Sequence, residues 1–240
     1  MLDDLALLGF GPEGWGRALI SAGLTTVAVS LCAFAAGAVG GTLLAWAKLG
    51  GGKALRRAAD LYIVVLRGIP DLLVIYLFYF GGRQLLAVLA RLAGHEGPVD
   101  VSGFAAGALA IGLISAAGQA EVLRGAFLAI PRGTLEAGLV GGMNRRTLFR
   151  RVIVPQGAVT ALPGLGNAWQ SVIKESALVS VTGLVETMRA VTVAAGSTDL
   201  PFLFYGAGVA IFLLITTLSG LVVRGLEWRL RRWSPRLGRA

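Results

Sequence analysis

Between Gln156 and Leu184, Asn167, Gln170, Ser171 and Lys174 fall at i, i+3, i+4 and i+7. That spacing draws amides, a hydroxyl and an ammonium down one face of an otherwise apolar helix. Groups of this kind recognise a polar solute by hydrogen bonding and charge, without making or breaking its bonds. Such a stripe should not face lipid. It suits the lining of a water-filled route, with Lys174 or the adjacent Glu175 available to a carboxylate or an ammonium. It equally suits a hydrogen-bonded seam against a second subunit. A shared pathway at a subunit interface is the reading we favour.

Arg67, Asp71, Glu121 and Arg124 join Lys174 and Glu175 as ionisable groups within apolar surroundings. Charge is expensive there, so each is a candidate for function. Glu121 and Arg124 are three apart, fit for an ion pair or for contact with a solute. Arg67 stands beside Gly68 and Pro70, where an interrupted helix frees backbone groups to line a cavity or simply packs at a kink.

Covalent chemistry has little to work with. Cys32 and His95 are the sole cysteine and histidine, too thin an inventory for a nucleophile with its base or for a metal site. We expect no catalytic residue and no metal, with Cys32 an inert buried thiol and His95 an ordinary loop residue. Gly9, Gly11 and Gly14 have GxGxxG spacing, but no strand precedes them. No GxxxxGK[ST] segment occurs, so any ATP, with its magnesium, must be bound and hydrolysed by another chain.

The elements that hold these groups are membrane spans. The chain is 55% apolar and 15% charged, with a mean hydropathy of +0.75, too greasy for a soluble domain. A helix needs roughly 20 apolar residues to cross, and about five segments qualify: Ala18–Trp46, Ala59–Phe80, Phe104–Ile130, Gln156–Leu184 and Phe202–Trp228. The alternation of a barrel strand is missing, so the spans are helices.

Lys48, Lys53, Arg56 and Arg57 follow the first span. Arg132, Arg145, Arg146, Arg150 and Arg151 follow the third; Arg229, Arg231, Arg232, Arg236 and Arg239 follow the fifth. The other connections carry only Arg17, then Arg83 and Arg91, then Arg189, and the first also has Asp3, Asp4 and Glu13. The positive-inside rule therefore predicts an extracytoplasmic N-terminus (residues 1–17) and a basic cytoplasmic tail (229–240). The acidic start does not suit a secretory signal peptide, so the first span is retained. The net charge of +9 sits at membrane edges, not on one folded face, which argues against nucleic acid. The tail could touch anionic lipid, although topology alone accounts for it. Gly37/Gly41 and Gly103/Gly107 have the GxxxG spacing that lets helices approach closely in lipid.

One cytoplasmic segment is unusually well patterned. In residues 132–155, Thr134 is positioned to cap a helix with Glu136 in its first turn. Gly141 and Gly142 break that helix, Asn144 caps a second one rich in arginine, and Pro155 closes it at the membrane. The plain alternative is a positively charged connecting loop.

Glu136-Ala137-Gly138, Gly142 and Val152-Ile153-Val154-Pro155 resemble the EAA signature of ABC importer permeases, EAA-x3-G-x9-I-x-L-P, departing at Gly138, Val152 and Val154. Arg67-Gly68-Ile69-Pro70-Asp71-Leu72 resembles the RGxPDL motif of the polar amino acid subfamily, of the histidine, lysine-arginine-ornithine and opine type. Glu121–Phe127, Ala161–Asn167 and Lys174–Ser180 continue the likeness, which runs from about Ala18 to Trp228. The resemblance implies an all-α integral membrane protein of the type I ABC importer permease fold, with five transmembrane helices and a cytoplasmic coupling helix in a permease domain spanning 18–228. It implies that Glu136, Ala137, Gly142, Arg146 and Pro155 dock into a cleft of an ATPase subunit. It also implies a second permease subunit, a paralogue, with two ATPases, an extracytoplasmic solute-binding protein and an amino acid or opine as cargo. A self-sufficient channel or ion-driven carrier would not need the 132–155 element, and an intramembrane enzyme would need groups this chain lacks.

Overall fold

The computed structural model describes residues 2–92 and 102–233, and every regular element among them is helical. His95 and the last seven residues lie outside the described residues. A short helix α1 (Leu2–Ala6) leads into a turn, in which the Trp15 amide donates to the Leu7 carbonyl at 2.8 Å and Gly16 to Gly9 at 2.9 Å. The glycines at 9, 11 and 14 serve this reversal: a Cβ at Gly14 would run into the Gly9 carbonyl. Trp15 then packs edge-on against Phe204 at 6.1 Å.

Among the described residues four helices are long and apolar enough to cross a membrane, and one bent pair, counted as one span, raises the number to five. They are α2 (Gly16–Gly50), the run Asp71–Leu89, α6 (Gly103–Leu128), the pair Arg145–Thr182 with Thr187–Thr198, and Pro201–Leu230. Between the first two lies α3 (Lys53–Gly68). The second span is α4 (Asp71–Tyr76), a π turn and α5 (Gly82–Leu92). The bent pair comprises α8 (Arg145–Leu148), a π turn at Phe149–Ile153, α9 (Val154–Glu175), a 3-10 stretch at Ser176–Thr182 and α10 (Thr187–Thr198). The 53° bend falls where Gly183 takes φ +85°, which glycine adopts without a Cβ clash. The last helix is α11 (Pro201–Trp233).

The centre of the molecule is the pairing of α2 with α6. Lipid tails are as apolar as leucine, so burial alone does not drive spans together, and close backbone packing does more of the work. A Cβ on Gly41 would come within 2.9 Å of Gln119 Cβ and 3.1 Å of the Ala120 nitrogen. One on Gly112 of α6 would approach Ala36 Cβ to 2.9 Å. Gly103 and Gly107 pack elsewhere, against Thr182 and Val179 of the 3-10 stretch. Both GxxxG pairs are thus packing devices.

Four sequence expectations are corrected. Cys32 is exposed, not buried: α2 is apolar on all sides, so periodicity could not say which face meets the core. The predicted span Ala59–Phe80 is two helices, because α3 stops at Gly68 and Pro70 restarts the chain with extended ψ 130°. Thr134 does not cap the cytoplasmic helix. That helix, α7 (Arg132–Val140), starts after Pro131, leaving Glu136 beyond its first turn. Pro155 does not end an element either. It sits in the first turn of α9 after the π turn, where the missing N–H of proline costs no ladder bond.

Candidate functional site

The helix break at Gly68–Pro70 adjoins a cleft of about 290 Å³ lined by Leu66, Arg67 and Asp71 with Ser115 and Gly118 of α6 and Ser171 and Glu175 of α9. Arg67 projects from the end of α3, and Asp71 begins α4. Glu175 is the last residue of α9, and its Oε2 is buried without a hydrogen-bond partner. One guanidinium and two carboxylates therefore face one space. Such a cleft offers an ion pair to a solute's carboxylate and another to its ammonium or guanidinium.

Asn167, Gln170, Ser171 and Lys174 are all exposed on α9. Ser171 enters the cleft. Lys174 instead borders an apolar groove of about 420 Å³ with Met188 and Val191 of α10 and Tyr205 and Phe212 of α11. Asn167 and Gln170 line neither space. The stripe thus divides between two sides of α9.

Glu121 and Arg124 are brought together, but away from the cleft lining. Arg124 donates to Glu121 Oε2 from Nε at 3.0 Å and from Nη2 at 2.8 Å. Lys48 Nζ reaches Glu121 Oε1 at 2.5 Å and Asp60 Oδ1 at 2.7 Å, with only 15% of the Lys48 side chain exposed. The four charges sum to zero, which is what keeps a largely buried ammonium tolerable.

A second buried carboxylate occupies the bend before α10. Glu186 accepts from the Met188 and Arg189 amides at 2.8 Å each, capping α10 with both oxygens. Thr26 of α2 meets Thr187 hydroxyl to hydroxyl at 2.7 Å and accepts from the Thr187 amide at 3.0 Å. This joint fixes α10 to α2.

Residues 131–155 form a helix-turn-helix. At the end of α7 the Gly142 amide bonds the Leu139 carbonyl and the Met143 amide the Gly138 carbonyl, both at 3.0 Å, with Gly142 at φ +80°. These are the paired bonds of a Schellman stop. Asn144 Oδ1 then accepts from the Thr147 amide at 2.8 Å and starts α8. Gly138 is buried against Leu148, a contact so close that a Cβ would strike Leu148 Cδ1. Glu136, Ala137, Gly142 and Arg146 are exposed, beside Leu139 and Val140 at 51% and 89%.

A model of the family described as binding-protein-dependent transport system inner membrane component matches residues 37–232. The chain belongs to that family. This permease is 54% identical to the octopine transport system permease protein OccQ of Rhizobium meliloti over 95% of its own length and 96% of the relative's. It is 45% identical to the nopaline permease NocQ of Agrobacterium fabrum, over 90% and 92%. It is 33% identical to the histidine/lysine/arginine/ornithine permease HisQ of Escherichia coli, over 95% and 98%. An amino acid ABC transporter crystallised with histidines superposes with a TM-score of 0.75 at 29% identity, covering 90% of the permease and 95% of that chain. The methionine transporter MetNI shares the fold at TM-score 0.70 and 16% identity, over 90% and 97%. The protein is accordingly a transmembrane permease subunit of an ABC importer, with the type I fold, and not an enzyme. Its family is an inner-membrane one whose ATPase is a separate chain and which works with a binding protein.

Lys48 is marked in the sequence only as a charge following the first span, and Asp60, Thr26 and Glu186 are not singled out there at all. Asp60 is visible in the sequence as one of two acids, with Asp71, inside the predicted second span. Glu186 is not, because glutamate is an unusual N-cap.

Proposed function

We propose that this permease forms the membrane pathway for an amino-acid-derived solute of the opine or basic amino acid class. The observation that carries this is the convergence of Arg67, Asp71 and Glu175 on the lining of one cleft, in a chain so similar to opine permeases. Ser171 adds a hydroxyl there, while Asn167, Gln170 and Lys174 extend the polar face of α9 toward a second permease subunit, a paralogue of this one. The N-terminus faces out and the 132–155 element faces the cytoplasm, as the arginine distribution supports.

The α7–α8 unit docks in an ATPase subunit through Glu136, Ala137, Gly142 and Arg146, with Pro155 setting the entry into α9. ATP closure of two ATPases shifts this unit and tips the spans from inward-open to outward-open, and the binding protein then delivers solute. Differential contact with the solute in the two states is what biases the cycle.

The test is uptake of labelled octopine, nopaline, arginine or histidine into liposomes holding the permease pair and its ATPase, supplied with binding protein. Saturable, ATP-dependent uptake of one of them is expected. Uptake indifferent to ATP would overturn the reading in favour of a self-sufficient carrier.

A further inference from the structure

The four-charge cluster of Lys48, Asp60, Glu121 and Arg124 lies outside the solute cleft, yet it binds the three elements that frame it. Lys48 is in the last turn of α2, Asp60 in the middle of α3, and Glu121 and Arg124 near the end of α6. Tyr62 adds a further tie between α3 and α6, its hydroxyl donating to the Leu113 carbonyl at 2.8 Å.

The cluster sits midway along two levers. On α6 it is a short step from Pro131, where the docking helix α7 begins. In the other direction along α6 lie Gly118 and Ser115, which line the cleft. On α3, Asp60 and Arg67 are seven residues apart, so they share a face two turns away from one another. Arg67 then lines the same cleft.

The bonds that hold the cluster are of the strong, charge-assisted kind. Lys48 bridges two carboxylates with most of its side chain out of solvent, and Glu121 is held by cations through both oxygens. Removing either centre leaves a charge without its counterpart in poorly solvated surroundings, so the cluster resists opening by one bond at a time. The cluster adds to the packing that already joins α2 closely to α6. The core cluster joining α3 to α6 is built on Ile63, Ala117 and Ala120, with Leu44, Tyr62 and Leu66 packed against it.

We infer that Lys48, Asp60, Glu121 and Arg124 are positioning residues that clamp α2, α3 and α6 into one moving body, so that displacement of α7 by the ATPase reaches Arg67 at the solute cleft. This deepens the coupling role proposed above and rests on it. Without the clamp, α6 would follow the docking helix while α3 lagged, and ATP would be consumed without moving the cleft.

The experiment measures solute imported per ATP hydrolysed in liposomes carrying the complete transporter and loaded binding protein, with Glu121→Gln, Asp60→Asn and Lys48→Arg. The wild-type arm tests the importer reading by itself, since it must show ATP-dependent uptake. For Glu121→Gln, ATPase activity and recovery of the ATPase subunit should be retained while solute per ATP falls about two- to thirtyfold, the span of a coupling change carried by one position. Asp60→Asn, at the half-exposed edge of the cluster, should show a smaller drop of the same sign, and Lys48→Arg should be near wild type. An unchanged ratio in both neutralised variants would overturn the clamp. So would parallel loss of uptake, ATPase activity and ATPase recovery in both, which would mark the cluster as a folding element only.

Discussion

Gly138 is where the cytoplasmic element departs from the signature it resembles, and replacing it with alanine sets two effects against each other. In a helix interior alanine is favoured over glycine by about 1 kcal/mol. Against this, the new methyl would overlap Leu148 Cδ1, with the Met143 sulfur 3.6 Å away, and Leu148 is itself only 6% exposed. Overpacking of a well-filled contact costs about 1–3 kcal/mol. Leu148 can give way only by rotating out of the α7–α8 contact, so packing should win by about 1 kcal/mol, or roughly fivefold in an equilibrium constant. The readout is the affinity of the purified ATPase subunit for detergent-solubilised permease. Gly138→Ala alone should weaken binding about fivefold, while Gly138→Ala with Leu148→Val, which removes the offending carbon, should recover most of the loss. If the single variant binds as tightly as wild type, or the double variant no better than the single, the Gly138–Leu148 contact does not set the shape of the docking element.

Asn144→Ala removes the acceptor for the Thr147 amide and should destabilise the docking unit by about 1 kcal/mol; faster amide exchange confined to α8 would show it, and Asn144→Asp should behave as wild type. Thr26→Val strips the α2–α10 joint of its bonds to Thr187 and should cost about 1–3 kcal/mol, seen as a lower thermal midpoint in detergent, with Thr26→Ser recovering it. Glu175→Gln in the cleft should raise the solute concentration needed for half-maximal uptake while leaving recovery of the folded permease unchanged; unaltered uptake kinetics would remove Glu175 from the pathway.

Much of this architecture was legible in the sequence because lipid imposes strict terms. A run such as Phe202–Trp228 has no soluble explanation, and Gly141-Gly142 followed by Asn144 spells a stop and a start in local chemistry. Local chemistry also misled. Thr134 is a good N-cap by type, but Pro131 begins the helix earlier with its fixed φ of −60°. Pro155 reads as a terminator, yet the π turn before it absorbs the missing donor. What stayed hidden were partnerships between distant positions. Lys48 and Glu121 are 73 residues apart and Thr26 and Thr187 161, and nothing in either neighbourhood names the other. The charges singled out within spans divide in the same way: Arg67, Asp71 and Glu175 converge on the cleft, whereas Glu121 and Arg124 turn toward Lys48 and Asp60.

The exposed thiol of Cys32 gives the permease a natural spectroscopic handle. It is the sole cysteine of the chain and projects outward from α2, so a nitroxide label attaches at one defined place without prior engineering. In a transporter built from two identical permeases, labelled protein would show a single inter-spin distance by pulsed electron resonance. Beside an unlike partner purified with its own thiols blocked, the same label would show none, and the symmetry of the pathway could be read from one spectrum.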